Sequence, residues 1–279
     1  VTGAADPTRP GFEGRRCVVT GAASGIGAAT ATLLRRLGAH VTGLDLREPA
    51  PGVVDRHLAC DLGDPRSIAA AARAAADPGP VDALANVAGV PGSRQPAQVF
   101  AVNFLGVREL TAALLPTIAR DGAIVNVAST AGAYWRDRLE TIDAALATSS
   151  FAAGAAWFSR QRMDGATTYD LSKELIVVDA LRAAAKLRRA HGVRLNVVSP
   201  GAVETPILPD FYATMDAAML ARMRAAVGGE NGRPEQIAPV IAFLLSDAAA
   251  WVSGADVWVD GGAEAAVASG ALAAGETAR

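Results

Sequence analysis

The chain is poor in the residues that build metal centres and disulfide frameworks. It has two cysteines, Cys17 and Cys60, each inside an apolar run that reads as a strand, where a buried structural thiol is favoured over a disulfide or a metal site. The three histidines, His40, His57 and His191, are dispersed without ligand spacing and suit strand-end or surface roles, so no metal is expected. An excess of charge of one sign is missing as well. A net charge of −2 with no basic cluster gives no reason to expect nucleic acid or an anionic membrane as a partner. No apolar run approaches the ~20 residues needed to span a bilayer. Val1 to Pro10 lacks the charged-then-apolar order of a signal peptide, and the default expectation is a cytoplasmic protein.

What is present is an alternation of short apolar runs with alanine-rich helical stretches, unbroken by any linker. This predicts a single α/β domain over residues 1–279. Both ends lack periodicity, so flexible tails are expected over about 1–13 and 264–279.

Two motifs carry chemistry. The first is Thr20-Gly21-Ala22-Ala23-Ser24-Gly25-Ile26-Gly27, which follows the apolar Cys17-Val18-Val19 and precedes the helix-patterned Ala28 to Leu37. Strand, glycine turn and helix in this order suit a dinucleotide. Gly21 permits the tight turn, Gly25 lets a pyrophosphate approach the helix N-terminus, and Gly27 allows close helix–strand packing. The spacing is G-x-x-x-G-x-G, a departure from G-x-G-x-x-G. A second apolar strand, His40 to Leu44, ends at Asp45, and an acid there suits the ribose hydroxyls of NAD and would repel the extra phosphate of NADP. Arg47 weakens that preference without reversing it.

The second motif is Tyr169-Asp170-Leu171-Ser172-Lys173, whose tyrosine and lysine share one face of a helix. A phenol has a pKa of about 10, and a nearby ammonium lowers it, so the tyrosine can exchange a proton with a substrate oxygen.

With these motifs in view, the chain from about Gly14 to Gly262 resembles the short-chain dehydrogenase/reductase family, which implies a doubly wound Rossmann fold with a parallel central sheet. Further motifs follow in the family's order: Asp61 and Leu62 in Cys60-Asp61-Leu62, Asn86-Val87-Ala88-Gly89, Asn103 in Val102-Asn103-Phe104, Ser129 after an apolar strand, and Pro200-Gly201-Ala202-Val203-Glu204-Thr205. The resemblance implies that Asn103, Ser129, Tyr169 and Lys173 are catalytic. Asn103 would hold a water of the proton relay, and Ser129 would hydrogen-bond the substrate oxygen. It also implies that NAD contacts come from Gly21, Ser24, Gly25, Ile26 and Gly27, from Asp45, Leu46, Asp61 and Leu62, from Asn86, Ala88 and Gly89, from Tyr169 and Lys173, and from Pro200, Gly201, Val203 and Thr205.

Ser129 and Tyr169 lie 40 positions apart, far more than in the family's common pattern, so a helical insertion is expected over about 134–168. Leu139, Ile142 and Leu146 have helical spacing there, and Ser149-Ser150 can cap a second helix. Either the insertion is a surface hairpin packed on its own apolar face, or it also walls the substrate pocket or alters subunit assembly. It makes the chain similar to the branch holding coniferyl alcohol dehydrogenases and bacterial 3α-hydroxysteroid dehydrogenase/carbonyl reductases. Trp135, Trp157, Phe211 and Met215 are candidates for an apolar substrate pocket.

The expected function is NAD-dependent hydride transfer on a hydrophobic, aromatic or alicyclic alcohol/ketone or aldehyde, a small-molecule substrate, by a homodimer or homotetramer. The alternatives are a hydroxysteroid or a biosynthetic ketone as substrate, and, in another class, a dinucleotide sensor without turnover.

Overall fold

The structure, a computed structural model, describes residues 11–214 and 217–271. The tails expected beyond these limits lie outside the described residues, as does Met215.

The first strand, β1 (Arg16–Thr20), leads through the glycine turn into α1 (Gly25–Arg36) and on to β2 (His40–Asp45) and β3 (Arg56–Ala59). Then follow α2 (Pro65–Ala76), β4 (Val81–Asn86), α3 (Pro96–Phe100), a π-helical turn at Ala101–Gly106, and α4 (Val107–Leu114). β5 (Ile118–Val127) precedes α5 (Leu139–Leu146), α6 (Phe151–Phe158) and the long α7 (Gly165–His191). The chain closes with β6 (Arg194–Pro200), α8 (Leu208–Thr214), α9 (Ala217–Ala226), α10 (Pro234–Leu245), β7 (Asp256–Val259) and α11 (Ala263–Ala268).

The seven strands form one parallel sheet in the order β3-β2-β1-β4-β5-β6-β7. A parallel sheet must be covered on both faces, and its central strands are accordingly continuous apolar runs. One core lies between the sheet and α2, α4 and α7, with Ile68, Leu84, Leu110 and Leu175 fully buried. The other packs α1 and α10 on the opposite face through Leu34, Val125 and Ile241. Strand order reverses between β1 and β4, and a crevice opens there at the strands' carboxyl ends, the place where such sheets bind ligands.

Buried polar groups tie the elements together at both ends of the sheet. Thr20 Oγ1 accepts from the amides of Val87 (2.9 Å) and Ala88 (3.0 Å), tying β1 to the loop after β4. The fully buried Arg194 donates to the carbonyls of Leu244 and Ser246, satisfying the last turn of α10.

Three expectations change. Phe12, within the N-terminal stretch expected to be mobile, is fully buried in the α1/α10 core. At the other end, α11 forms and buries Ala263 and Glu264. Finally, the helical stretch Pro96–Thr117 is long and apolar enough to cross a bilayer by length and composition. It was missed because the polar Asn103, Arg108 and Glu109 interrupt the run, and about half of it is buried in the core.

Candidate active site

The crevice is a cleft of about 910 Å³. At one end lie the glycine turn and the tip of β2. Gly21 has φ +72°, and a Cβ there would stand 2.9 Å from Ala88 Cα. A Cβ on Gly27 would stand 2.1 Å from the carbonyl oxygen of Gly21, so the helix can approach the turn only without a side chain. Ser24 occupies the N-cap of α1 without a side-chain capping bond, and the first turn carries no acid. Its amides are therefore placed for an external anion such as a pyrophosphate. Asp45 is fixed rather than free: Oδ2 accepts from Ala23 N (3.0 Å) and Oδ1 from Arg47 N (2.9 Å). Arg47 in turn donates to Ser24 Oγ (3.3 Å). Leu46, Asp61 and Leu62 line the same end, and Ala88 and Gly89 follow along the floor. This donor set fits a nicotinamide dinucleotide: uncapped amides for the diphosphate and a carboxylate for ribose hydroxyls.

The other end is built on α7. Asp164 caps this helix by accepting from Thr167 N (2.7 Å), and Gly192, in the left-handed conformation, ends it. Tyr169 and Lys173 face the cleft one turn apart. Ser129 Oγ, at the end of β5, accepts from Ala131 N (3.2 Å) and lies near enough to the tyrosine hydroxyl to lower its pKa. Phe211 of α8 meets the Tyr169 ring edge-on, with centroids 4.9 Å apart. Pro200, Gly201, Val203 and Thr205 complete the wall.

Electrostatics depart from the sequence expectation. Lys173 Nζ lies 5.5 Å from the Tyr169 ring centroid and donates to the Val127 carbonyl (3.2 Å). Burial lowers the lysine to about 8 and raises the phenol above its ordinary value, with the neighbouring Ser129 side chain opposing that rise. As the chain stands, desolvation outweighs the ammonium, because both charged forms lose water in the same enclosed corner.

Four sequence candidates fall outside the cleft lining. Asn86 is buried behind it, donating to Asn126 Oδ1 (2.8 Å) and Thr111 Oγ1 (3.0 Å). Asn103 sits in the π-helical turn and clasps Val90, accepting from its amide (2.8 Å) and donating to its carbonyl (3.0 Å). Its side chain is thus spent on shaping the loop beside Lys173. Trp157 packs on Phe100 (centroids 5.7 Å apart), and Phe158 stacks on the same ring at 4.4 Å. Trp135 lies under the Arg136 guanidinium, 4.1 Å from its ring centroid.

The α5–α6 segment thus packs on the core, and none of its residues lines the cleft. Arg108 pins it through the carbonyls of Thr148 (3.0 Å) and Ser150 (3.1 Å). The expected cap is present, with Ser150 Oγ accepting from Ala153 N (3.1 Å). Pro91, Arg94, Ile207 and Leu208 also line the cleft, and sequence reasoning assigned none of them to the site. Nothing in their spacing marks them, since only the fold carries them to Tyr169.

The chain has matching relatives. The family described as short chain dehydrogenase matches residues 15–141, and that described as enoyl-(acyl carrier protein) reductase matches residues 144–264. Coniferyl-alcohol dehydrogenase of Pseudomonas sp. (strain HR199 / DSM 7063) is 36% identical over 252 residues, spanning 89% of this chain and 96% of that protein. Cis-4-hydroxycyclohexanecarboxylate dehydrogenase of Sinomonas cyclohexanicum is 36% identical over 272 residues, spanning 90% and 97%. Among solved structures, the 3-alpha-hydroxysteroid dehydrogenase from Pseudomonas sp. B-0831, complexed with NADH, superposes with a TM-score of 0.78 at 33% identity, covering 91% of this chain and 98% of that one. Fold, crevice and relatives agree, and the chain belongs to the short-chain dehydrogenase/reductase family, oxidoreductases of alcohols and ketones that use a nicotinamide cofactor.

Proposed function

We propose that this chain is an NAD-dependent dehydrogenase of a hydrophobic cyclic alcohol, aromatic or alicyclic, or the reductase of its ketone or aldehyde. One observation carries the reading: Tyr169 and Ser129 meet in a cleft whose wall beside the tyrosine is Phe211 with other apolar side chains, while the far end presents Asp45. Asp45 and the amides of Ser24 to Gly27 would hold the cofactor's ribose and diphosphate, and the bound nicotinamide would accept or supply the hydride. Ser129 Oγ would hold the substrate oxygen. Tyr169 Oη would take the hydroxyl proton in oxidation and return it in reduction. Lys173, at a pKa of about 8, is poised to take up or release a proton at neutral pH. Asn103 would act on this relay by fixing Val90 and contacting Ser172 Oγ (3.4 Å).

Coniferyl and cinnamyl alcohols suit the likeness to the coniferyl-alcohol dehydrogenase, and a 3α-hydroxysteroid suits the likeness to the NADH-bound structure. The reading includes a homodimer or homotetramer in the cytoplasm, whose subunit number sedimentation would measure. The test is NADH formation from NAD by wild-type protein and Tyr169→Phe, with coniferyl, cinnamyl and benzyl alcohols, cyclohexanols and a 3α-hydroxysteroid. Wild-type turnover that falls by about 10²-fold or more in the variant supports the reading. Tight NAD binding without turnover of any alcohol would point instead to a dinucleotide sensor.

A further inference from the structure

The cleft lining includes the apolar Val90, Pro91, Ile207, Leu208 and Phe211, the last against the Tyr169 ring. Arg94 lines the cleft, is exposed, and has no ion pair or side-chain hydrogen bond among the described residues. Its surroundings are rigid. Arg94 N donates to Pro91 O (3.2 Å), closing a tight turn. The carbonyls of Gly92 and Arg94 lie against Gly165 in the first turn of α7, where an added Cβ would stand 1.9 Å and 3.0 Å from their oxygens. Ser93 Oγ donates to Asp210 Oδ1 (2.9 Å), fastening the turn to α8. The nearby carboxylate of Asp210 is therefore engaged by Ser93 and forms no ion pair with Arg94.

Other charges on the substrate side are committed among the described residues. Asp260 accepts from the amides of Gly262 (2.9 Å) and Glu264 (2.7 Å). Arg224 donates to Gly229 O (2.7 Å), and Glu230 follows it on the α9–α10 connection.

We infer that Arg94 is a specificity-determining residue and that the substrate is a cyclic alcohol bearing a carboxylate remote from its hydroxyl. The inference rests on the alcohol-dehydrogenase reading above and names the substrate class within it. A guanidinium presents a planar fork of donors that matches a carboxylate bidentately, and a partner of that charge is what this wall lacks. Because the turn bearing Arg94 is held between α7 and α8, little backbone ordering is lost when the pair forms. The ring would lie on Phe211 and Leu208, with the hydroxyl at Tyr169 and Ser129 and the carboxylate at the mouth.

The experiment compares each acid with its neutral, near-isosteric amide: 4-hydroxycyclohexanecarboxylate with its carboxamide, and 4-(hydroxymethyl)benzoate with its carboxamide. Wild-type protein, Arg94→Gln and Arg94→Lys are assayed for kcat and KM with NAD. The expected result is a kcat/KM for the acid about 10- to 100-fold above that for the amide, carried by KM, which falls toward parity in Arg94→Gln and is partly kept in Arg94→Lys. Equal wild-type turnover of acid and amide, or a parallel loss of both in Arg94→Gln that leaves the ratio intact, overturns the inference while the dehydrogenase reading stands. Absence of turnover on acids, amides and the neutral alcohols alike overturns both.

Discussion

Gly165 and Gly92 touch where no side chain could fit: a Cβ on Gly165 would stand 1.9 Å from the Gly92 carbonyl oxygen, and one on Gly92 would stand 2.9 Å from the Gly165 carbonyl oxygen. This contact seats the first turn of α7, four residues ahead of Tyr169, on the loop leaving β4. Alanine is ordinarily the better helix former by ~1 kcal/mol, but here the added methyl meets backbone on a pinned turn. Gly165→Ala should therefore lower stability by about 1–3 kcal/mol and reduce kcat through displacement of the tyrosine. Thermal denaturation and steady-state kinetics check both, and an unchanged melting temperature would remove the contact's importance.

Asp45 receives the amides of Ala23 and Arg47, so its carboxylate shapes the glycine turn while lining the cleft. Asp45→Ala should raise KM for NAD about 10-fold, the effect of losing one or two charge-assisted hydrogen bonds. With Arg47 left beside Ser24, the variant should also accept NADP better than the parent. Unaltered discrimination in parallel NAD and NADP assays would refute the assignment.

Phe211 and Trp157 are expected to separate under mutation. Trp157→Ala removes a ring packed against Phe100 and should cost about 3 kcal/mol, with little change in the ranking of substrates. Phe211→Ala, on the cleft wall, should leave the melting temperature nearly unchanged and raise KM for cyclic substrates. Chemical denaturation and a substrate panel distinguish them, and a changed ranking in Trp157→Ala would return the α5–α6 segment to the pocket.

Glu174, next to Lys173 in sequence, is buried and paired with Arg138 at 3.7 Å. Asp170 and Asp137 add negative charge, and burial chiefly raises Glu174 to about 7. The folded-state pKa lies above the unfolded one, so this group's stabilising contribution is full below about pH 4.5 and is lost as pH rises to about 7. Glu174→Gln should flatten that part of the stability–pH curve, making the variant's relative stability higher at pH 8 than at pH 4.5. Parallel urea titrations at the two pH values check the sign.

What could be read from the sequence was chemistry held in short contiguous runs. The glycine turn, the acid ending β2, and Tyr169 with Lys173 each depend on local backbone geometry: a turn, a strand end, one turn of helix. Their residue types and spacing carry that information by themselves; the strand–helix alternation adds an α/β domain, and the doubly wound parallel sheet came with the family resemblance those motifs support. Tertiary structure alone decided which aromatic faces the cleft. Phe211 and Trp157 are both apolar rings on amphipathic segments, and their roles differ because α8 crosses the strands' carboxyl ends while α6 packs beside Phe100. The same holds for Asn86, turned into the interior, and for the Lys173 pKa, which reflects water removed by elements distant in the chain. The Gly92–Gly165 contact and the placement of Arg94 also required the fold, because burial and approach between residues far apart in sequence depend on how the helices and loops come together around the sheet.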